Sequence, residues 1–246
     1  MSLEILGCRV DELDAAAATD RILQYAQTGA KAQIVTLGTE MIVYAQRDAE
    51  FRRIINQCAL SLCDTIGLLL VSRSRGSHLR ERVTGVELID DVCQGAARLG
   101  LPVFLLGGAS GVAASTAAVL RARYPALRIA GEHHGYFDDA QSDAIAQQIA
   151  SSGAAILFAG LGFPRQEFWV ARQLDATGCG VAIGVGGSFD VISGKVKRAP
   201  SVWQRLGLEW LYRLISEPHR WRRQLALPQF VWLVLTDTLR RGTSST

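Results

Sequence analysis

The sequence VAIGVGG, residues 181–187, decides the fold, because it is an apolar run that ends in a cluster of glycines. Three other apolar runs also end in Gly where a loop begins: IVTLG at 34–38, VFLLGG at 103–108 and ILFAGLG at 156–162. Short runs of this kind are typical of parallel strands that are buried on both faces of a sheet. In open α/β sheets, ligands bind at the carboxyl ends of the strands. We therefore expect the four strand ends to converge on one crevice.

Apolar runs alternate with amphipathic stretches along the body of the chain, which predicts a mostly parallel, Rossmann-like sheet with helices on both faces. Strands are predicted at 32–36, 59–63, 102–106, 128–130, 154–159 and 180–183. Helices are predicted at 13–27, 39–57, 65–74, 86–99, 110–123, 138–151 and 164–175. We expect residues 1–195 to form an α/β catalytic domain and residues 196–246 to form a helical, basic appendage. The helices of the appendage are predicted at 201–215, 219–226 and 228–239.

The C-terminal end is basic and rich in tryptophan. Residues 195–246 hold ten Lys and Arg against three acidic residues, so this end carries a charge of +7, whereas the whole chain carries +3. Four of the five tryptophans are also there, at 203, 210, 221 and 232. Basic residues with Trp and Leu at helical spacing are typical of a segment that lies on an anionic membrane. Packing of Trp203 and Trp210 on the body is the alternative, and nucleic acid is disfavoured because no motif that reads it is present.

The remaining composition indicates a globular cytoplasmic protein. The 246 residues are 49% hydrophobic and 20% charged, which is enough to bury a full core. The N-terminus lacks the basic start and the long apolar stretch of a signal peptide, and the apolar run 230–235 is too short to cross a bilayer. The five cysteines form no CxxC pair, so we expect reduced, buried thiols.

Three polar side chains, two at predicted strand ends and one in a loop, suit catalysis or phosphate binding. Asp64 follows the run ALSLC, where its carboxylate either serves as a general base in the crevice or caps the next helix. Thr36 ends the neighbouring run, where its hydroxyl either faces the same crevice or caps a helix. Arg82 lies in the polar loop ERVTG, where it is either solvated or placed for bidentate contact with phosphate. The residues alone leave each pair of alternatives open.

Two further segments suit the binding of an anionic or sugar ligand. Gly107 and Gly108 belong to GGASG, which follows a strand and opens a helix, so this segment either binds phosphate through its amides or makes a tight turn. Gln166 and Glu167 follow the turn LGFPR at a helix start. A glutamate there is favoured by the helix dipole alone, whereas the Gln166 amide suits a sugar hydroxyl or a nucleobase.

Metal binding is not indicated by the sequence. Of the four histidines only His133 and His134 are close, and adjacent residues do not present a ligand pair on one face. The Asp-x-Asp triplet of metal-dependent nucleotide-sugar transferases is absent. A departing diphosphate would instead be stabilised by helix N-termini and arginines. The tail supplies Arg213, Arg220, Arg222 and Arg223.

Segments that span about residues 3–225 resemble, in the same order, the WecG/TagA/CpsF family of glycosyltransferases. They include IVTLGTEM, CDTIGL, ERVTGVEL, VFLLGGASG, LGFPRQEFW and IGVGGSFDVISGKVKRAPSVWQRLGLEWLYRLISEPHRWRR. The resemblance implies an inverting enzyme that moves a hexose, of the N-acetylmannosamine type or related, from a UDP-sugar to a polyprenyl-diphosphate-linked saccharide. Such enzymes work on the cytoplasmic face of the bacterial plasma membrane, in cell-surface or exopolysaccharide synthesis.

The resemblance also implies roles for individual residues. Asp64 corresponds to the catalytic base of the family, and Thr36 and Arg82 fall in its active-site crevice. The C-terminal arginines are implied to close over the donor diphosphate, without a metal cofactor; those of this chain are Arg213, Arg220 and Arg223.

The remaining assignments extend this interpretation to the other strand ends. Gln166 helps to orient donor or acceptor, with Glu167 beside it, and amides around Gly108 and Gly186 stabilise the departing UDP. Asp190 either binds a sugar hydroxyl or holds the 195–198 loop, which carries Arg198, by an ion pair.

Other donors and other functions are alternatives to this interpretation. Gly38, Thr65 and Glu87 stand where the family commonly has Asn, Gly and Asp, so UDP-glucose or a UDP-uronic acid are alternative donors. A non-catalytic scaffold of polysaccharide assembly is a second alternative, and a homo-oligomer is left open. A nucleotide-binding oxidoreductase is disfavoured, because the chain lacks GxGxxG and a convincing ribose-binding acid.

Overall fold

A six-stranded parallel sheet forms the centre of the protein. The structure, a computed structural model, describes residues 1–200, 203, 211, 212, 214 and 226–243. The strands are β1 (Ser2–Ile5), β2 (Cys8–Asp11), β3 (Ala32–Leu37), β4 (Leu60–Cys63), β5 (Val103–Gly107), β6 (Ile129–His133), β7 (Ile156–Gly160) and β8 (Val181–Gly184). The large sheet has the order β4-β3-β8-β7-β5-β6, and every neighbouring pair in it is parallel. The predicted parallel α/β fold is confirmed.

Helices connect the strands and cover the sheet. Those with defined bounds are α1 (Ala15–Thr28), α2 (Thr39–Ala45), α3 (Ala49–Gln57), α4 (Ile66–Ser74), α5 (Gly85–Leu99), α6 (Val112–Arg123), α7 (Ser142–Ser152), α8 (Arg165–Gln173), α9 (Ser188–Ile192) and α10 (Ala226–Thr243). Strand residues alternate between the two faces of the sheet. In β5, Val103 and Leu105 pack with α1, α5 and α6, whereas Phe104 and Leu106 pack with α7 and α8 on the other face. Burial on both faces explains why the strands read as continuous apolar runs.

The strand order brings the four predicted strand ends together. The chain runs from β3 outward to β4 and from β5 outward to β6 in the opposite direction, and β8 and β7 lie between these halves. The ends of β3, β8, β7 and β5 are therefore consecutive neighbours at one edge. Ligands of doubly wound sheets bind where the order reverses in this way.

An N-terminal hairpin was not predicted. Strands β1 and β2 pair antiparallel, with Ile5 opposite Cys8, so Leu6 and Gly7 form a two-residue turn. Both turn residues have positive φ, 51° and 78°, as a type I′ turn requires. The alternation of Leu3, Ile5, Cys8 and Val10 was the available signal. Leucine is unusual at positive φ, which concealed the turn.

Several predicted boundaries are corrected. The single helix expected at 39–57 is two helices, because the Asp48 carboxylate accepts from Phe51 N at 2.9 Å and begins α3 anew. Strand β6 runs three residues beyond the predicted end at 130, and the short helix α9 was not predicted. Helix α6 begins at Val112 rather than at 110, because Gly111 at its cap has φ +80°.

The last helix, α10, packs on the body of the protein. Phe230 is buried with Leu68, Leu69 and Leu79 in the apolar cluster around α2 to α4. Arg75, at the end of α4, forms an ion pair with Asp237 at 2.7 Å. The predicted helix at 228–239 is thus present, with two more residues before Pro228.

Candidate active site

A cleft of about 550 Å3 lies at the carboxyl ends of the parallel strands. Loops that follow all six strands of the large sheet form its walls, and Leu227 of α10 contributes to one side. The predicted site residues that line it are Thr36, Asp64, Arg82, Gly108, Gln166, Gly186, Asp190 and Arg198. Gly107 and Glu167 do not line it.

Asp64 is held at the cleft by the register of the sheet. It is the first residue after β4, and its backbone N–H donates to Leu37 O of β3 at 3.1 Å. Helix α4 begins at Ile66 with Thr65 in the cap position, so Asp64 does not cap that helix. The structure therefore favours the position of a functional carboxylate over that of a helix cap.

Arg82 lies beside the same strand end. Val83 N–H donates to Cys63 O at 2.8 Å, which holds the Arg82 segment against the end of β4. The pKa of the Cys63 thiol is raised to about 12, first by burial and then by the Asp64 charge, whereas Arg82 lowers it. Both charges thus act on one buried sulfur, and the carboxylate and the guanidinium share this corner of the cleft.

Thr36 connects two of the central strands. Its hydroxyl donates to Gly184 O at 2.9 Å, and its side chain is buried. Helix α2 follows Gly38 and begins at Thr39, so Thr36 does not cap it. The hydroxyl therefore stabilises the junction of β3 and β8 at the cleft floor.

Gly107, the last residue of β5, and Gly108 allow the backbone to approach Gly160 at the end of β7 closely. A Cβ on Gly107 would lie 2.4 Å from Gly160 O, and the φ of Gly107 is +148°. The amide of Gly108 donates to Gly160 O at 3.1 Å, and its carbonyl accepts from Gly135 N at 2.8 Å. The tight-turn interpretation is supported, and in this conformation the Gly108 amide is not available to a phosphate.

The Gln166 amide contacts protein groups at both ends. Its Nε2 donates to Glu167 Oε1 at 2.7 Å, and its Oε1 accepts from Gly186 N at 3.0 Å. Val185 N also donates within the protein, to Ala159 O at 3.0 Å. The expectation that the Gly186 amide faces a leaving diphosphate is therefore corrected, because that amide is already bonded.

Glu167 lies in the first turn of α8, as expected, but its side chain is buried. Its side chain lies behind the cleft, and burial raises its pKa to about 8, against a lowering by the Gln166 hydrogen bond. A carboxyl group with such a pKa is largely neutral at pH 7. Glu167 is therefore not a surface charge, and it does not reach a ligand in the cleft.

The loop after α9 is held by two ion pairs. Lys195 Nζ lies 3.7 Å from Asp190 Oδ1, and Val196 N donates to Asp190 O at 2.8 Å. Arg198 Nη2 lies 2.6 Å from Glu87 Oε1. The Asp190 contacts support its role in holding this loop, and both cations line the cleft.

Arg165 was not selected from the sequence. Its guanidinium donates to Gly135 O and Phe137 O and lies 4.3 Å from the centre of the Phe137 ring. These bonds fix the loop after β6, which places the exposed ring of Tyr136 at the cleft. The contacts are tertiary, so no local pattern could have shown them.

Most of the predicted tail lies outside the described residues. This holds for Arg213, Arg220, Arg222, Arg223, Trp210 and Trp221, and for nearly all of the predicted helices 201–215 and 219–226. Trp203 is described, and its ring centre lies 5.9 Å from that of Tyr212. The predicted roles of the tail arginines stay predictions.

All five cysteines are unpaired and buried, as expected. Within the described ranges, no three His, Cys, Asp or Glu side chains are grouped so that they could hold a metal ion. In the same part of the chain, no helix combines the length and apolarity that a membrane span needs.

A doubly wound parallel sheet with polar and charged side chains gathered in a cleft at its switch point is the arrangement of an α/β enzyme. Comparison with known proteins shows the family of enzymes to which the chain belongs. Residues 3–244 match the model of the glycosyl transferase WecG/TagA/CpsF family. The chain belongs to this family and is a glycosyltransferase.

One relative with an assigned activity comes from Bacillus spizizenii. It is 38% identical over 202 residues, which cover 82% of this chain and 78% of the relative. That protein is named N-acetylglucosaminyldiphosphoundecaprenol N-acetyl-beta-D-mannosaminyltransferase. The resemblance found in the sequence is thus confirmed at the level of the family.

Proposed function

We propose that the protein transfers N-acetylmannosamine from its UDP derivative to N-acetylglucosaminyl-diphosphoundecaprenol. The substrates are carried over from the named relative, which this chain matches over most of both lengths. The observation that carries the proposal is that a strand-end carboxylate, Asp64, and the guanidinium of Arg82 both line the cleft and both act on the buried Cys63 thiol. A carboxylate can remove a proton, and a guanidinium beside it can bind an anion.

The proposed chemistry is a single displacement. Asp64 takes the proton of the acceptor hydroxyl while that oxygen attacks the anomeric carbon of the donor sugar. The bond from that carbon to the diphosphate oxygen breaks, and its electron pair leaves with UDP. The product has the inverted, β configuration, in agreement with the relative's name.

Cations of the protein stabilise the leaving UDP in this proposal. Arg82, Lys195 and Arg198 line the cleft, and arginine suits bidentate contact with phosphate. The arginines of the tail add to them when it lies over the donor. Thr36 and Gln166 act by keeping the cleft floor in shape, since both are bonded to the glycine-rich end of β8.

We further propose that the enzyme works at the inner surface of the plasma membrane. Its acceptor is a lipid, and the C-terminal end combines positive charge with tryptophan. The outer face of α10 exposes Val231, Trp232 and Leu235, at 50%, 64% and 59% of their surface. Large apolar side chains at a basic segment suit insertion among anionic headgroups.

The test is a panel of donors with one acceptor. UDP-N-acetylmannosamine, UDP-glucose and a UDP-uronic acid are each incubated with a short-chain N-acetylglucosaminyl-diphosphoprenol, and the product is identified by mass and by its anomeric proton coupling. We expect a β-linked N-acetylmannosaminyl product. UDP-glucose is the main competitor, because Gly38 of the cleft stands where the family commonly has Asn and offers no side-chain amide to the donor. A glucosyl product with no N-acetylmannosaminyl product would contradict the proposed donor.

A further inference from the structure

Two buried polar side chains lie next to each other at the start of α8. Gln166 and Glu167 are 3% and 2% exposed. Burying a carboxyl group costs free energy unless its contacts compensate. The Oε2 atom of Glu167 has no hydrogen-bond partner among the described residues. Glu167 is therefore kept in a costly position, and the hydrogen bond that its side chain accepts from Gln166 indicates the reason.

That hydrogen bond decides which way the Gln166 amide points. Glu167 Oε1 accepts from Nε2 at 2.7 Å, so the Oε1 atom of Gln166 faces the opposite way, toward Gly186 N at 3.0 Å. If the amide were reversed, its NH2 group would oppose the Gly186 N–H, with two donors face to face. Glu167 thus favours the one orientation that bonds Gly186.

The glycine-rich end of β8 rests on this pair of side chains. A Cβ on Gly184 would lie 2.8 Å from Gln166 Nε2 and 3.4 Å from Glu167 Oε1. Gly186 has φ +54°, and apart from its chain neighbours no atom of the described residues lies within 4 Å of the position where its Cβ would stand. The backbone here is packed tightly on one side and open on the other, and Gly186 and Gly187 line the cleft.

We propose that Glu167 is a positioning residue for the donor site: through Gln166 it fixes the conformation of residues 184–187, against which the donor lies. It does so without touching the substrate. This inference rests on the proposed function only for the identity of the donor.

The test compares two substitutions of the same residue. Glu167→Gln keeps an oxygen that can accept from Gln166, whereas Glu167→Leu keeps the approximate volume and removes the acceptor. We expect Glu167→Leu to raise the KM for the UDP-sugar about fivefold to tenfold, with a smaller change in kcat. A change of this size corresponds to the loss of about one hydrogen bond. Glu167→Gln should restore a KM near that of the wild type.

A control variant separates positioning from loss of stability. Val170→Ala removes buried volume from the same helix, in the apolar cluster of α7 and α8 and not in the cluster that holds Val185. It should lower the melting temperature but leave the KM unchanged. If Glu167→Leu and Val170→Ala have the same KM, or if Glu167→Gln behaves like Glu167→Leu, the inference is wrong.

A second readout does not depend on turnover. Hydrogen exchange of the Gly186 amide should be about tenfold faster in Glu167→Leu than in wild type or Glu167→Gln, because its acceptor is no longer held in place. Unchanged exchange of that amide in Glu167→Leu would overturn the inference even if the enzyme used another donor. Altered exchange in a protein that transfers no sugar would instead count against the proposed function alone.

Discussion

Glu167 has a protonation equilibrium that is coupled to folding. Its pKa rises from 4.5 in the unfolded chain to about 8 in the folded protein, chiefly because burial disfavours the carboxylate. The folded state therefore binds the proton more tightly between these values. Its contribution to stability is complete below the lower pKa and is lost as the pH rises toward the upper one.

This coupling gives the first prediction, for Glu167→Gln. The substitution keeps the hydrogen-bond acceptor and removes the titration, so its free energy of unfolding relative to wild type should increase between about pH 5 and pH 8, by a few kcal/mol at most. Urea unfolding at several pH values measures it. Glu50→Gln, the same substitution at an exposed position, is the control. A constant difference between Glu167→Gln and wild type across this range would contradict the assigned pKa.

The second prediction at this scale concerns Thr36. Thr36→Val removes the hydroxyl that donates to Gly184 O and keeps the shape of the side chain, so the free energy of unfolding should fall by about 1 kcal/mol. Thr36→Ser keeps the hydroxyl and provides the matched comparison. An unfolding midpoint of Thr36→Val equal to that of wild type would show that this bond does not stabilise the strand junction.

At the scale of elements, the parallel strands could be predicted because each is buried on both faces and therefore reads as an unbroken apolar run. Asp64 and Thr36 followed from those strands, since residues at strand ends share one edge of the sheet. Arg82 lies in a loop, and only the family resemblance implied its place in the crevice. The hairpin was missed because Leu6 occupies a turn position that usually holds Asn, Asp or Gly. Arg165 and the Gln166–Glu167 pair depend on contacts between elements, which periodicity does not contain.

Helix α10 gives the third prediction. Replacing Trp232 and Leu235 by Ser should weaken binding to vesicles that contain anionic lipid, because both side chains are exposed and apolar. Flotation with vesicles of phosphatidylglycerol and phosphatidylcholine measures it. The double variant Gln229→Ser with Thr238→Ser, also at exposed positions of α10, is the control. Unchanged flotation of the Trp232 and Leu235 variant would exclude this face from the membrane contact.

The fourth prediction concerns the inner face of the same helix. Phe230→Ala should lower the free energy of unfolding by about 3 kcal/mol or more, because it leaves a cavity in the cluster around α2 to α4. Gln229→Ala, at the exposed neighbouring position, should be nearly neutral. If Phe230→Ala and Gln229→Ala have the same free energy of unfolding, the packing of α10 does not stabilise the folded body.

In the whole molecule, helix α10 connects the cleft at the sheet's switch point to a chain end that we propose lies on an anionic membrane. The body supplies the carboxylate and cations of the cleft, and Leu227 links α10 to the same cleft. A lipid-linked acceptor would then meet the donor at the edge where these parts come together. We propose that Asp64 is the base of the transfer.

The most direct test of that claim is the rate of UDP release from the preferred donor in the presence of acceptor, for wild type and Asp64→Asn. The control is Asp48→Asn, which keeps a good helix cap on α3 outside the cleft. We predict a loss of about 10²-fold to 10⁴-fold in kcat for Asp64→Asn, with donor binding retained, and a near-normal rate for Asp48→Asn. A rate for Asp64→Asn close to that of wild type would contradict the account and place the base elsewhere.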